Sequence, residues 1–478
     1  MVIEIQELDA VYCKVLTPQG QGLVWEILSY EDVTRNIWSG FPEAVKRSHM
    51  DKRGMSFLCG LIPYVTKKLV EMGHEVDVFK IKVNLPYRLF VSLPDTIFEK
   101  YQSKLLRSVG KNNRGILIAP TGGGKSLILG GIISKYNIPV SLLIVPTKSI
   151  LKQMENDFKK WFPEYDIGIV GDNQCTVGHI TIALFQSLSR WDLTKYNSIL
   201  QLIIIDECHK MNNSIQKMLK QLTKVPFRFG VTATPRRETD FNEYGRMIGN
   251  IGPIISEVDD IECISRVTPC HVYTIGYYCH SPKGTDYRSI YQKDILFSII
   301  RNRKLLSAAK KLALDKGKTC VFLLDQIEQG EIIFDIAKSM GLNPYLVHSK
   351  MKKGHNENIK KLLSENKINL VIATGVWGIG TSIYNIDCVV LASARKSYID
   401  TLQKLGRARR RSAKKEEAII IDVIDKVRNN SGCRKKCYKY FEDYSKLRIS
   451  WYKEKKWYMG DAFNAQANRM GWKGDKDE

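Results

Sequence analysis

Residues 116–126 read ILIAPTGGGKS: an apolar run enters a glycine-rich loop, which closes on Lys-Ser at the head of a second apolar stretch, 127–133. The first run has the composition of a buried strand and the second that of a helix, and a strand–loop–helix with Lys-Ser at the helix start is the arrangement of a phosphate-binding loop. Thr121, Gly122, Gly123 and Gly124 form the loop, where glycines let backbone N–H groups close around phosphates. Lys125 is placed to reach the β and γ oxygens, and the Ser126 hydroxyl to ligate Mg²⁺. Ala119 stands where the usual pattern has its first glycine. A glycine-rich turn without a ligand shares the local composition, but not the flanking strand and helix. The expected ligand is ATP with Mg²⁺.

Around this loop, residues 91–265 alternate short β-rich runs with helical segments: GILIAP, SLLIVP, ITIALF, QLIIID and RFGVTAT. Near-continuous apolar runs separated by helices predict a parallel sheet. CVFLLD, PYLVHS, INLVIAT, CVVLAS and EAIIIDVID repeat the pattern over 266–425, so the fold class is α/β with two similar domains. Residues 1–90 read as a small α+β module with strands near 2–15 and 76–83. Between them a helix begins near Pro63, places Val65, Leu69 and Met72 on one face and stops at Gly73. Residues 426–478 form a basic C-terminal extension in which Tyr438, Tyr440, Phe441, Tyr444, Trp451, Tyr452, Trp457 and Tyr458 interleave with Lys and Arg. That composition fits either a surface that stacks on bases or a helix packed on the preceding domain.

At 478 residues the chain exceeds one core and fits roughly two to four domains. Its 73 Lys and Arg against 50 acids give a net charge of +23. The last 78 positions hold 21 basic and 11 acidic residues, a net of +10. This asymmetry points to a polyanionic partner, nucleic acid ahead of membrane. The 11 cysteines lack the paired spacing of a zinc site and read as reduced thiols. No charged and then apolar leader opens the sequence, and no apolar run approaches the roughly 18 residues of a membrane span. The expectation is a soluble, cytoplasmic protein.

QLIIIDECH places Asp206 and Glu207 at the carboxyl end of a buried strand, where parallel sheets bind ligands. Asp206 would hold Mg²⁺, and Glu207 would orient and deprotonate the water that attacks the γ-phosphate. Two acids capping a strand are common on their own, but much less so beside a phosphate-binding loop. Near the end of the second domain, QKLGRARR carries Gln403, Arg407 and Arg410 at a spacing that directs all three to one region. Arginines there can neutralise charge on a transferring phosphoryl group, a role typically worth about 10³ to 10⁵ in rate. A plain phosphate-binding patch is the alternative.

Taken in order, these stretches resemble the superfamily 2 helicases and translocases from about residue 98 to residue 410. Tyr101-Gln102 is similar to the adenine-reading glutamine motif, VPTKSILKQ to motif Ia, ALFQSL to motif Ib, DECH to motif II and TATP at 232–235 to motif III. IATGVWGIGTSI at 372–383 resembles motif V, and QKLGRARR motif VI. The resemblance implies two RecA-like motor domains, with ATP bound in the cleft between them. It also implies backbone contacts to nucleic acid from Thr147, Lys148, Gln186, Ser187 and Thr374. Ser382 departs from the Asp that many helicases carry after motif V. GIGTSI, RNRKLL at 301–306 and the helical segment 55–76 are similar to the phage UvsW type of recombination helicase, in which a small N-terminal module precedes the motor.

The function implied is an ATP-dependent DNA motor that remodels forks, four-way junctions or displacement loops in recombination and repair. An RNA helicase, a duplex translocase that displaces proteins or serves a restriction enzyme, and a non-hydrolysing scaffold that binds branches are the alternatives.

Overall fold

The computed structural model describes residues 1–35, 42–83, 92–136, 140–236, 238–260, 262–263, 268–279, 287–352, 354–374, 386–394, 397, 401, 405, 415, 417–427 and 440–459. The chain divides into two compact units, residues 1–120 with 124–259 and residues 260–478 with 121–123.

The first unit opens with β1 (Val2–Glu7), β2 (Tyr12–Val15), β3 (Ser29–Arg35), β4 (Pro42–Ser48), β5 (Ser56–Leu58) and β6 (Glu75–Phe79). Alternation of Ile3 and Ile5 inward with Val2 and Glu4 outward fixes the register of β1. It pairs parallel with β6 and antiparallel with β2, in the order β5-β2-β1-β6, while β3 and β4 form a separate antiparallel pair. The helix Ile62–Glu71 takes Pro63 in its first turn and buries Val65 and Leu69. Met72 does not join them: the helix ends one residue earlier, ahead of Gly73 at φ 82°, and Met72 is 52% exposed.

This small module is continuous with the rest of the unit. Ile3, Leu61 and Val65 share one apolar core with Ile116, Leu142, Ile203 and Met247. The Ala10 N–H donates to the Thr223 carbonyl (2.9 Å), and Arg114 donates to the Ala10 carbonyl (2.6 Å). His49 sits 3.2 Å from the Phe241 carbonyl and against the Tyr30 ring. Gly245 makes room for it, since a Cβ there would lie 2.4 Å from His49 Nε2. Burial lowers the His49 pKa to about 4, with Arg246 and Lys220 adding to the effect against the Phe241 carbonyl. His49 therefore folds neutral, and below the unfolded value of about 6.5 the unfolded chain takes up a proton that the folded chain refuses. Stability is expected to fall between about pH 6.5 and pH 4, by about 3 kcal/mol from this group. Denaturant titrations of wild type and His49→Phe at neutral and acid pH check this; equal pH dependence in both would contradict it.

The remainder of the unit is one sheet made of β7 (Arg114–Ile118), β8 (Ser141–Val145), β9 (Ile167–Gly171), β10 (Gln174–Cys175), β11 (Ile180–Leu184), β12 (Leu202–Asp206), β13 (Phe227–Thr232) and β14 (Ile254–Glu257). Its order is β10-β9-β11-β8-β12-β13-β7-β14, parallel throughout except for the short β10. Strands β8, β11, β12 and β13 are buried along their whole length, which is why they read as unbroken apolar runs. Because the strands run parallel, their carboxyl ends line one edge.

The second unit is an all-parallel sheet of β15 (Cys270–Cys279), β16 (Cys320–Leu323), β17 (Tyr345–Val347), β18 (Leu370–Ala373), β19 (Cys388–Leu391), β20 (Ala418–Val427) and β21 (Tyr458–Met459). Their order is β17-β18-β16-β19-β20-β15-β21. The described part of the C-terminal segment belongs to this core: the helix Tyr440–Glu454 packs on β20, burying Phe441, Trp451 and Tyr452, with Trp457 buried beyond it. On that helix Arg448 pairs with Asp422 (2.8 Å), which also accepts from the Tyr452 hydroxyl (2.8 Å). Tyr440 and Tyr458 stay exposed, and Tyr438 lies outside the described residues. Among the described residues no helix is long and apolar enough to cross a membrane, and no cluster of three His, Cys, Asp or Glu could hold a metal.

Candidate active site at the carboxyl edge of the first sheet

β7 delivers the chain to the glycine loop, and the helix Lys125–Tyr136 begins directly after it. Gly122 (φ 91°) and Gly124 (φ 71°) occupy left-handed backbone that side chains resist, so the loop bends tightly enough to present the helix N-terminus, a site that favours anions. The Ser126 hydroxyl accepts a hydrogen bond from Gln153 Nε2 at 3.3 Å, which ties the loop to the helix Lys148–Trp161.

Two strands away, β12 ends on Asp206, which is buried, and the chain turns sharply through Glu207 at φ 50°, ψ 48°. Glu207 Oε1 lies 2.9 Å from Lys125 Nζ. Glu207 Oε2 lies 3.5 Å from His209 Nδ1, which is 2.7 Å from the Thr232 hydroxyl at the end of β13. The Thr234 N–H donates to that same hydroxyl (3.1 Å), and Arg236 donates to the His209 carbonyl (3.0 Å). A chain of contacts thus runs from the glycine loop through DECH to TATP.

The electrostatics follow from burial. Desolvation and the neighbouring Glu207 push Asp206 up to about 7, against the pull of Lys125. For Glu207 burial also acts upward, but Lys125, His209 and Lys210 outweigh it and hold the carboxyl below its ordinary value. Burial lowers His209 to about 3, so it stands neutral near pH 7 and hydrogen-bonds rather than carrying charge. One buried carboxylate that a cation would relieve, beside a hydroxyl and a phosphate cradle, fits Mg²⁺, which takes few protein ligands and keeps phosphate and water.

The remaining expected residues fall into three groups. Tyr101 and Gln102 are buried in the helix Lys100–Gly110, and the Gln102 amide oxygen accepts from the Glu99 N–H (3.0 Å), completing a capping box; in this structure they brace the helix start. Thr147 caps the helix after β8, its hydroxyl accepting from the Ile150 N–H (3.3 Å), with the exposed Lys148 next to it. Gln186, exposed, and Ser187, half-buried, follow β11, and the buried Thr374 follows β18, its N–H on the Val347 carbonyl (3.0 Å). Gln403, Arg407 and Arg410 lie outside the described residues, as does motif V beyond Thr374.

Sequence reading alone misses the contacts of His209, Thr232, Gln153 and Arg236. A signal exists for the first two, since DECH and TATP end neighbouring strands, but only the pairing of β12 with β13 shows it.

The family described as "Type III restriction enzyme, res subunit" matches residues 95–237, and "Helicase conserved C-terminal domain" matches residues 303–412. The ATP-dependent DNA helicase uvsW of Enterobacteria phage T4 is 28% identical over 351 residues, covering 68% of this chain and 68% of its own. The DNA 3'-5' translocase XPB2 of Sulfurisphaera tokodaii is 24% identical over 404 residues, covering 76% of this chain and 88% of its own. In fold, the DUF1998 helicase MrfA bound to DNA superposes with a TM-score of 0.54 at 16% identity, over 76% of this chain and 49% of that one. The chain is a helicase enzyme that carries these two domains in order, and it is similar to the ATP-dependent DNA helicases and translocases, the phage UvsW type among them.

Proposed function

We propose that the chain hydrolyses ATP at the carboxyl edge of the first sheet and couples the turnover to remodelling of branched DNA, by branch migration, fork regression or displacement-loop processing. The observation that carries the chemistry is the 2.9 Å pair between Lys125 and Glu207. Without nucleotide, the ammonium neutralises the carboxylate. When phosphate arrives, Lys125 has a second anion to bind, and Glu207 is released to take a proton from the attacking water. His209, held by Thr232, lies 3.5 Å from the other Glu207 oxygen and links the site to the segment after β13. Ser126 and Asp206 would hold Mg²⁺, which when bound neutralises charge on the β and γ phosphates. Gln403, Arg407 and Arg410, outside the described residues, are further proposed catalytic residues on the strength of their motif.

Thr147, Lys148, Gln186 and Ser187 form the proposed track for one strand on the first unit, and Thr374 is a proposed contact on the second. All follow the carboxyl ends of parallel strands, and contacts of this kind hold the backbone without reading sequence. Support for branched DNA as substrate comes from the similarity to a UvsW helicase over two thirds of the chain, together with an N-terminal module that shares its core with the motor.

The test is steady-state ATP hydrolysis at fixed salt with no nucleic acid, single strands, duplex, a four-way junction or RNA. Greatest stimulation by the junction is expected. Stimulation chiefly by RNA would move the substrate to RNA and leave the motor in place, and no stimulation by any would favour a binding scaffold.

A further inference from the structure

Strands β9, β11 and β8 lie side by side and parallel, so the turn after β9 shares an edge with Gln186, Ser187, Thr147 and Lys148. That turn is Asp172-Asn173, at φ 51° and 65°, two successive left-handed residues that join β9 tightly to β10. It lies outside the helicase motifs of this chain. Its carboxylate reaches across to the helix after β8: Asp172 Oδ1 is 2.8 Å from Lys148 Nζ, and Oδ2 is 3.3 Å from Lys152 Nζ. Both lysines are about two-thirds exposed, while Asp172 is 25% exposed. Lys148 and Lys152 stand one turn apart on the same helix face, so one anion bridges both.

We propose that Asp172 is a built-in competitor for the DNA backbone, holding Lys148 and Lys152 in the place of a phosphate and giving them up when a strand enters the track. The inference rests on the proposed function of that edge. Its chemistry is an exchange of one anion for another. Asp172 offers two oxygens to two ammonium groups, as a phosphodiester does, but it is fixed to the protein and releases no counterion when displaced. Each DNA phosphate captured by the lysines therefore replaces an existing ion pair, and affinity is lower than two free lysines would give. A motor that must release the backbone at every step benefits from contacts that are easily exchanged. Hydrogen bonds from Lys148 and then Lys152 hold the Asp172 carboxyl below its ordinary value, so it remains an anion through the physiological range.

Asp172→Asn removes the charge while keeping the turn, because Asn accepts left-handed backbone readily and already does so at Asn173. The full chain is titrated with a labelled single strand between about 50 and 200 mM salt. The proteins compared are wild type, Asp172→Asn, the double variant Lys148→Ala/Lys152→Ala, and the triple variant. Asp172→Asn is expected to bind about fivefold more tightly at the low-salt end, as exposed ion pairs allow, with a salt slope steeper by about 1. In the double-lysine background the same change should have no effect. If the double variant binds more weakly but Asp172→Asn leaves affinity unchanged or lowers it, the competitor role is overturned and the track stands. If the double variant binds as wild type does, the track itself fails, and Asp172 with it.

Discussion

Glu207→Gln is expected to lower DNA-stimulated ATP turnover by about 10² to 10⁴-fold, the usual contribution of a positioned general base, while ATP and DNA affinities stay within a few-fold of wild type. The reason is geometric. Glu207 follows β12 in a left-handed turn, with one oxygen on Lys125 and the other near His209, so it is fixed at the edge where the γ-phosphate would sit. The amide keeps the shape and can still accept a hydrogen bond from Lys125, but it cannot take a proton. Steady-state hydrolysis alongside fluorescent-nucleotide binding separates the two effects. Substantial turnover would sink the assignment of Glu207 as base, whereas lost ATP affinity would show that its main work is to position Lys125.

Lys125→Ala is expected to act on both binding and turnover. Losing a charge-assisted contact to phosphate should weaken ATP binding by about 10 to 100-fold, with a comparable or larger fall in rate. A second consequence comes from the ion pair. Burial acts upward on the Glu207 pKa, and Lys125 is the largest of the influences that reverse it. Without the ammonium, the Glu207 carboxyl should rise, and the acid limb of the residual pH–rate profile should move to higher pH. An unshifted limb, measured at saturating ATP, would show that Lys125 does not set the charge state of Glu207.

What the sequence makes legible and what it hides differ in a physical way. The glycine loop, the DECH carboxylates and the strands buried on both faces are local signals: each needs only its own neighbours to be read. β9 and β14 escape such a reading because IGIVG is broken by glycines and IISE is short and half exposed. β15 escapes it because His271, Thr274 and Gly276 interrupt its apolar residues, and β21 because it is two residues long. The aromatic residues of the C-terminal segment are compatible with base stacking or packing until Arg448, Asp422 and Tyr452 are seen to meet in the second core. Contacts between distant segments are illegible for the same reason. Nothing near Lys125 announces Glu207, nothing near Thr232 announces His209, and Asp172 reads as an ordinary turn residue until the order of β9, β11 and β8 brings it to two lysines.

The decisive measurement is the conversion of a labelled four-way junction into duplex arms, followed in real time for wild type and Glu207→Gln with and without ATP. The expected result is conversion by wild type that requires ATP, and a variant that binds the junction but leaves it intact. Conversion without ATP, or brisk ATP hydrolysis with an unchanged junction, would contradict the proposal that this chain is a branch-remodelling motor.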